Sequence, residues 1–172
     1  MMGKIFILPN VDYGRDLSKA IEGAPNFTYG EVVSSMTAVR AGIANIPSES
    51  EWKRAEDFAR DILQPLRIKY GRINVNSWYR CKKLNDKIGS SDASYHRTGG
   101  GADLDPEEVS LMELLEGAME LEVSEVIAEF FPDGWVHIGY SKGSPRKALK
   151  LKDARNHYTK LSLEELKGYY HA

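Results

Sequence analysis

At Gly71 the hydrophobic period of this chain changes, and that switch narrows the possible folds more than any other feature. Before it, Trp52, Ala55, Ala59, Ile62, Leu63 and Leu66 recur at helical spacing and fall on one face. After it, Ile73, Val75 and Ser77 alternate with Arg72, Asn74 and Asn76, the period of a half-buried strand. Residues 123–130 and 135–140 read as two further strands, joined by a Pro132-Asp133-Gly134 turn. Helices first and strands afterwards predict an α+β fold, with N-terminal helices packed on a small antiparallel sheet.

Local signals refine this outline. Thr28 with Glu31, and Ser48 with Glu51, have the spacing of capping boxes and should each open a helix. Pro65 lies inside the helical pattern, so the helix should kink or change register near Gln64. Residues 4–8 read as a short strand or extended arm, 16–21 as a helical turn, and 82–88 as a polar helix. Residues 89–101 are rich in Ser and Gly and read as a loop leading into a strand at 102–104. Pro106 is placed to open a helix that turns Leu111, Leu114, Leu115 and Ala118 inward.

The chain has 172 residues, enough for one domain with a substantial core, and its net charge of −2 argues against a nucleic-acid partner. That charge is unevenly spread. Residues 105–133 carry ten acidic side chains and no Lys or Arg, whereas 142–160 carry seven basic ones against Asp153. Both runs read as solvated faces, with contact to an anionic wall polymer as the alternative for the basic one. The single cysteine, Cys81, cannot form an internal disulfide and reads as a small semi-buried side chain. No apolar run reaches membrane-spanning length, and residues 1–10 are too short for a signal segment. Synthesis in the cytoplasm without a membrane partner is therefore expected, as a monomer.

A hydrolytic metal site needs three His or carboxylate ligands, an open position for water, a proton carrier and a donor for developing negative charge. Of four histidines, His157 and His171 lie in a polar segment and read as solvent-facing. His96 and Asp103 stand seven apart with Gly99, Gly100 and Gly101 between them, and can converge if the glycines let the chain fold back. His137, flanked by apolar residues, reads on its own as a core histidine.

Residues 94–103, from Ser94 through His96 and Gly99 to Asp103, resemble the SxHxxGxAxD signature of zinc D-alanyl-D-alanine carboxypeptidases, peptidase family M15. VanX-type dipeptidases and endolysins that cut the L-alanyl-D-glutamate bond are relatives in that family. Trp135-Val136-His137 is similar to its W-x-H segment, and Asn76-Ser77-Trp78-Tyr79-Arg80 with Asn85 to its SGYR…N segment. Phe27-Thr28, Asn45-Ile46-Pro47 and Leu63-Gln64-Pro65-Leu66-Arg67 resemble the lead-in of its phage and prophage branch. The resemblance implies a fold of the hedgehog/DD-peptidase kind and Zn²⁺ held by His96, Asp103 and His137. It implies a substrate-facing Arg80 and a peptidoglycan stem peptide as substrate, cut by a carboxypeptidase or endopeptidase acting on the cell wall. Ser94, Asn85 and Trp135 are its candidate substrate contacts, whereas Trp78 and Tyr79 are open between core and cleft. It spans about residues 27–140, leaving 1–26 as an N-terminal extension and 141–172 as a basic C-terminal extension packed on the same domain.

Three departures bear on function. Gly101 stands for the family alanine and is expected to loosen the backbone, and Tyr95 stands where Gln is common. The family acid three residues before the last His falls on Gly134, which has no side chain. Glu129 and Asp133 then compete as proton carrier. A hairpin centred on Asp133 pairs Glu129 with His137; one centred between Asp133 and Gly134 pairs Phe130 with it instead. Relatives with a Glu before the W-x-H loop favour Glu129. With no acid at 134, a non-catalytic virion or wall-binding protein that keeps the zinc site is the alternative function.

Overall fold

The computed structural model describes residues 4–170 and shows a mixed α+β fold with one two-stranded and one six-stranded sheet. His171 lies outside the described residues; His157 is exposed. The chain enters as an extended arm, not a strand, with Phe6 N donating to Ser34 Oγ at 2.9 Å. Residues 16–21 do not form the expected helical turn. Asp16 Oδ1 instead accepts from Ser18 N and Oγ, stopping the chain at one tight turn before Ala20–Ile21 (β1) pairs antiparallel with Ala24–Thr28 (β2).

Both expected capping boxes are present. Thr28 opens Tyr29–Val33 (α1), and Ser48 opens Glu49–Phe58 (α3), with Met36–Arg40 (α2) between them. The register change before Pro65 takes the form of a π-turn at Ala59–Leu63, in which Gln64 N reaches back to the Ala59 carbonyl. Proline has no N–H for the helical ladder, and the widened turn makes room for its ring before Gln64–Tyr70 (α4) continues. Trp52, Ala55, Ala59, Ile62, Leu63 and Leu66 are all buried, as the spacing requires. Trp78 joins them in the core, edge-on to Phe27 and Phe58, with its Nε1 donating to the Gly99 carbonyl at 2.8 Å.

The larger sheet has the strand order β3-β4-β6-β5-β7-β8. Its members are Ile73–Ser77 (β3), Gly101–Pro106 (β4), Glu125–Glu129 (β5), Trp135–Gly139 (β6), Ala148–Lys152 (β7) and Tyr158–Lys160 (β8). Lys82–Ile88 (α5) follows β3, and Leu111–Glu120 (α6) packs against β4, β5 and β6. Pro106 ends β4 and does not open α6. Ser110 does, because it forms a capping box with Glu113 that the sequence reading overlooked. Leu114, Leu115 and Ala118 are buried as expected, with Leu111 partly so.

The expected small antiparallel sheet is larger and mixed, since β7 runs parallel to β5. The basic segment therefore supplies two strands of the central sheet. It also supplies Leu163–Tyr170 (α7), whose Leu166 is fully buried. Ser124 anchors this crossover: its Oγ donates to the Ser144 carbonyl at 3.0 Å, and its carbonyl accepts from Ala148 N at 3.3 Å. The two charge runs are consequently partners. Lys147 meets Glu122 at 3.3 Å, Lys150 meets Glu125 and Lys152 meets Glu129 at 2.7 Å; Lys167, beyond the basic run, meets Glu116 at 2.6 Å. Among the described residues, no helix is long and apolar enough to cross a membrane.

Candidate metal centre

Alternation along each strand sorts the sheet into two faces. Ala102, Leu104, Val126, Ala128, Val136, Ile138 and Leu149 are buried on the core side. Asp103, Glu125, Ile127, Glu129, Trp135, His137, Lys150 and Lys152 occupy alternate positions and share the opposite face. Asp103 on β4 stands directly opposite His137 on β6. On the other side a bulge between Val75 and Ser77 brings Ser77 into register with Asp103.

His96 arrives from outside the sheet, on a tight 3₁₀ turn over Tyr95–Thr98 that Ser94 caps through His96 N. Gly99 ends the turn at φ +85°, a conformation that suits glycine. A Cβ on Gly101 would lie 2.6 Å from His96 N, so this glycine lets the turn press against β4. The expectation of a loosened backbone is thereby corrected: Gly101 sits in a paired strand and serves close packing. Tyr95 benefits from Gly139 in the same way, since a Cβ there would lie 2.4 Å from its ring.

The three candidate ligands converge. Asp103 Oδ1 lies 3.1 Å from His96 Nε2 and 2.9 Å from His137 Nδ1, and one ligand atom from each residue lies within 4.8 Å of the others. Four-coordinate zinc with bonds of about 2.0–2.1 Å sets its ligands roughly 3.3 Å apart, close to these separations. All three side chains are buried. His96 Nδ1 donates to the Trp78 carbonyl at 2.5 Å, since a carbonyl can only accept, and in the neutral ring the other nitrogen, Nε2, then keeps its lone pair. Burial pushes the His96 imidazole below its ordinary value, against the pull of Asp103. A neutral His96 facing a carboxylate oxygen brings two acceptors together, and a cation satisfies both. For Asp103, burial would raise the carboxyl, but the adjoining His96 and His137 imidazoles hold it well below the usual range. A set of two imidazoles and one carboxylate suits Zn²⁺.

Arg80 has a partner that the sequence did not foretell. Its Nη2 donates to Asp103 Oδ2 at 2.8 Å and its Nε to Ser77 Oγ at 2.9 Å. The guanidinium thus occupies the carboxylate oxygen that faces away from the histidines. Asn85 is fully buried, and its Nδ2 donates to the Ser90 and Ser91 carbonyls at 3.0 Å each, bracing the loop that leads to His96. Trp135 is half-buried on the face that carries Asp103 and His137, edge-on to Phe130.

Neither expected hairpin register is found. His137 pairs with Ile127, and Glu129 pairs with Trp135, so the hairpin centres on Pro132. Phe130 takes φ +54° as the strand leaves the sheet, and Gly134 packs so tightly that a Cβ would lie 1.9 Å from the Glu129 carbonyl oxygen. Glu129 still shares the His137 face as a diagonal neighbour and is buried, with Oε2 accepting from Lys152 Nζ at 2.7 Å. Asp133 is exposed in the loop. Glu125, two residues before Ile127, is a member of this face that sequence reading missed. Period two from Glu129 was the available signal.

Residues 25–139, more than half of the chain, match the family model described as Peptidase M15. No curated protein matches the chain.

Proposed function

This chain belongs to the M15 peptidase family, whose members are zinc-dependent hydrolases, and from that premise we propose that it cuts peptidoglycan stem peptides, as a D,D-carboxypeptidase or an L-alanyl-D-glutamate-type endopeptidase. The observation that carries the reading is the convergence of His96 Nε2, Asp103 Oδ1 and His137 Nδ1, with the first ring pinned by the Trp78 carbonyl. Zinc bound there would supply Lewis acidity toward the scissile carbonyl and a water acidic enough to ionise near neutral pH.

The protein's own groups do the rest. Lys152 engages Oε2 of Glu129, leaving Oε1 to take a proton from the attacking water and pass it to the leaving amine. Arg80 neutralises the second oxygen of Asp103 and fixes its orientation. Its Nη1, which makes no hydrogen bond among the described residues, is the edge that meets a substrate oxygen. Trp135, on the same face as His137, and Ser94, which caps the turn carrying His96, are the remaining contacts assigned to the peptide.

The test is digestion of purified peptidoglycan by the zinc-loaded protein, with the released peptides identified by mass spectrometry. Wild type should release stem-peptide fragments, and Glu129→Ala should hold zinc yet release none. Undiminished cleavage by Glu129→Ala rejects the proton-carrier assignment. A wild type that binds zinc and leaves the wall intact supports the second reading, a non-catalytic wall-binding role. That reading is favoured by the lack of a side chain at Gly134.

A further inference from the structure

Two carboxylates flank His137 on the metal-facing side of the sheet. Ile127 stands directly across from His137, so Glu125 and Glu129 lie diagonally on either side of it. Strand β7 runs alongside, with Lys150 in register with Ile127 and Lys152 with Glu129. Each lysine takes one carboxylate: Lys152 Nζ meets Glu129 Oε2, and Lys150 Nζ meets Glu125 Oε2. The other oxygen of Glu125 lies 3.9 Å from His137 Nε2, while the opposite ring nitrogen, Nδ1, faces Asp103 Oδ1 at 2.9 Å.

An imidazole that ligates through Nδ1 carries its proton on Nε2. A carboxylate facing that proton fixes the tautomer, limits rotation of the ring and makes Nδ1 a better donor to the metal. Glu125 is the group in position to do this. Its own freedom is restricted by Lys150, so the carboxylate is presented with one oxygen clamped and one toward the ring. A shift of roughly 1 Å by either side chain closes 3.9 Å to hydrogen-bond length.

We propose that Glu125, clamped by Lys150, is a positioning residue that holds His137 for metal binding through Nδ1. Strand β7, which lies beyond the matched residues 25–139, thereby becomes a working part of the metal centre. The proposal rests on the metal-centre reading above and is independent of which peptide is cut.

Zinc affinity of the full chain, measured by competition with a chromophoric chelator, tests it without any substrate. Glu125→Ala should bind zinc about 10–100-fold more weakly than wild type. Glu125→Gln keeps an acceptor oxygen and should recover most of the loss, Lys150→Met should show a smaller loss, and Lys150→Arg none. Glu129→Ala should leave zinc affinity unchanged, which separates positioning of the ligand from proton transfer. The melting temperatures of the metal-free variants report whether each still folds, and Co²⁺ absorption spectra report ligand geometry directly. Zinc affinity of Glu125→Ala within about twofold of wild type, or equal losses in Glu125→Ala and Glu129→Ala, would overturn the positioning role alone. A wild type that takes up no zinc removes the metal centre itself, and this role with it.

Discussion

Replacing Gly134 by alanine should destabilise the protein far more than a single methyl group suggests. The added Cβ would lie 1.9 Å from the Glu129 carbonyl oxygen and 2.9 Å from Phe130 Cβ. The first obstacle is backbone on a paired strand, which no side-chain rotation can relieve. The loop must open by roughly 1 Å, an overpacking cost of about 1–3 kcal/mol. A strained or lost ladder hydrogen bond beside the Glu129–Trp135 pair adds about 1 kcal/mol. A total of about 2–4 kcal/mol lowers the melting temperature of a domain this size by roughly 5–15 °C. Thermal unfolding followed by circular dichroism measures it. Gly168→Ala is the control: no atom of the described residues lies within 4 Å of its Cβ position inside α7, and helix propensity predicts a gain of about 0.5–1 kcal/mol. Gly134→Glu, which places an acid at the family position, should lose as much stability as Gly134→Ala and gain no turnover. If Gly134→Ala melts within about 2 °C of wild type, the hairpin has slack and the explanation of the missing acid is wrong.

Gly101→Ala restores the family residue, yet it should weaken zinc binding, because the new Cβ meets His96 N at 2.6 Å and displaces that ligand; affinity equal to wild type in chelator competition would count against it. In the metal-free protein, the His96 imidazole titrates below its ordinary 6.5, so the unfolded chain binds a proton first as pH falls. Stability should therefore decline below about pH 6.5, by up to about 1.4 kcal/mol per pH unit, with a second decline below about pH 4 as Asp103 is protonated in the unfolded chain. Urea midpoints that stay flat from about pH 8 to about pH 5 contradict this. Ending the chain at Tyr140 should give misfolded or aggregated protein, since it bares the edge of β5 and removes Leu149 and Leu166 from the core. A soluble, cooperatively melting product would refute it.

Features encoded within a few residues were legible in advance. Two capping boxes, the register change ahead of Pro65, a strand over residues 72–77 that matches β3 to within one residue, and the helix at 82–88 follow from local pattern. The capping box at Ser110 had the same signal and lost to Pro106, although a proline can equally close a strand, as it does here on β4 beyond the last residue paired with β6. The convergence of residues 96, 103 and 137 was also accessible, through their resemblance to a known signature. The hairpin register was not. It depends on a left-handed Phe130 and on the approach of Gly134 to the Glu129 carbonyl, neither of which alternation reveals. Pairing of β7 with β5 was equally hidden, because parallel strands are joined through distant chain. Its trace was the acidic run followed by the basic one, read as solvated faces although Glu122, Glu125 and Glu129 are the counter-charges of Lys147, Lys150 and Lys152.

The place of β7 in the strand order has a consequence for timing. In the sheet it touches only β5 and β8, so it can dock only once β5 has been laid down. All three candidate ligands precede it along the chain, and they leave the ribosome while Lys150 and Lys152 are still inside. A nascent peptidase of this design can gather His96, Asp103 and His137 before either glutamate has its lysine. The face that carries those three residues is then completed by the docking of β7, and not by their first meeting.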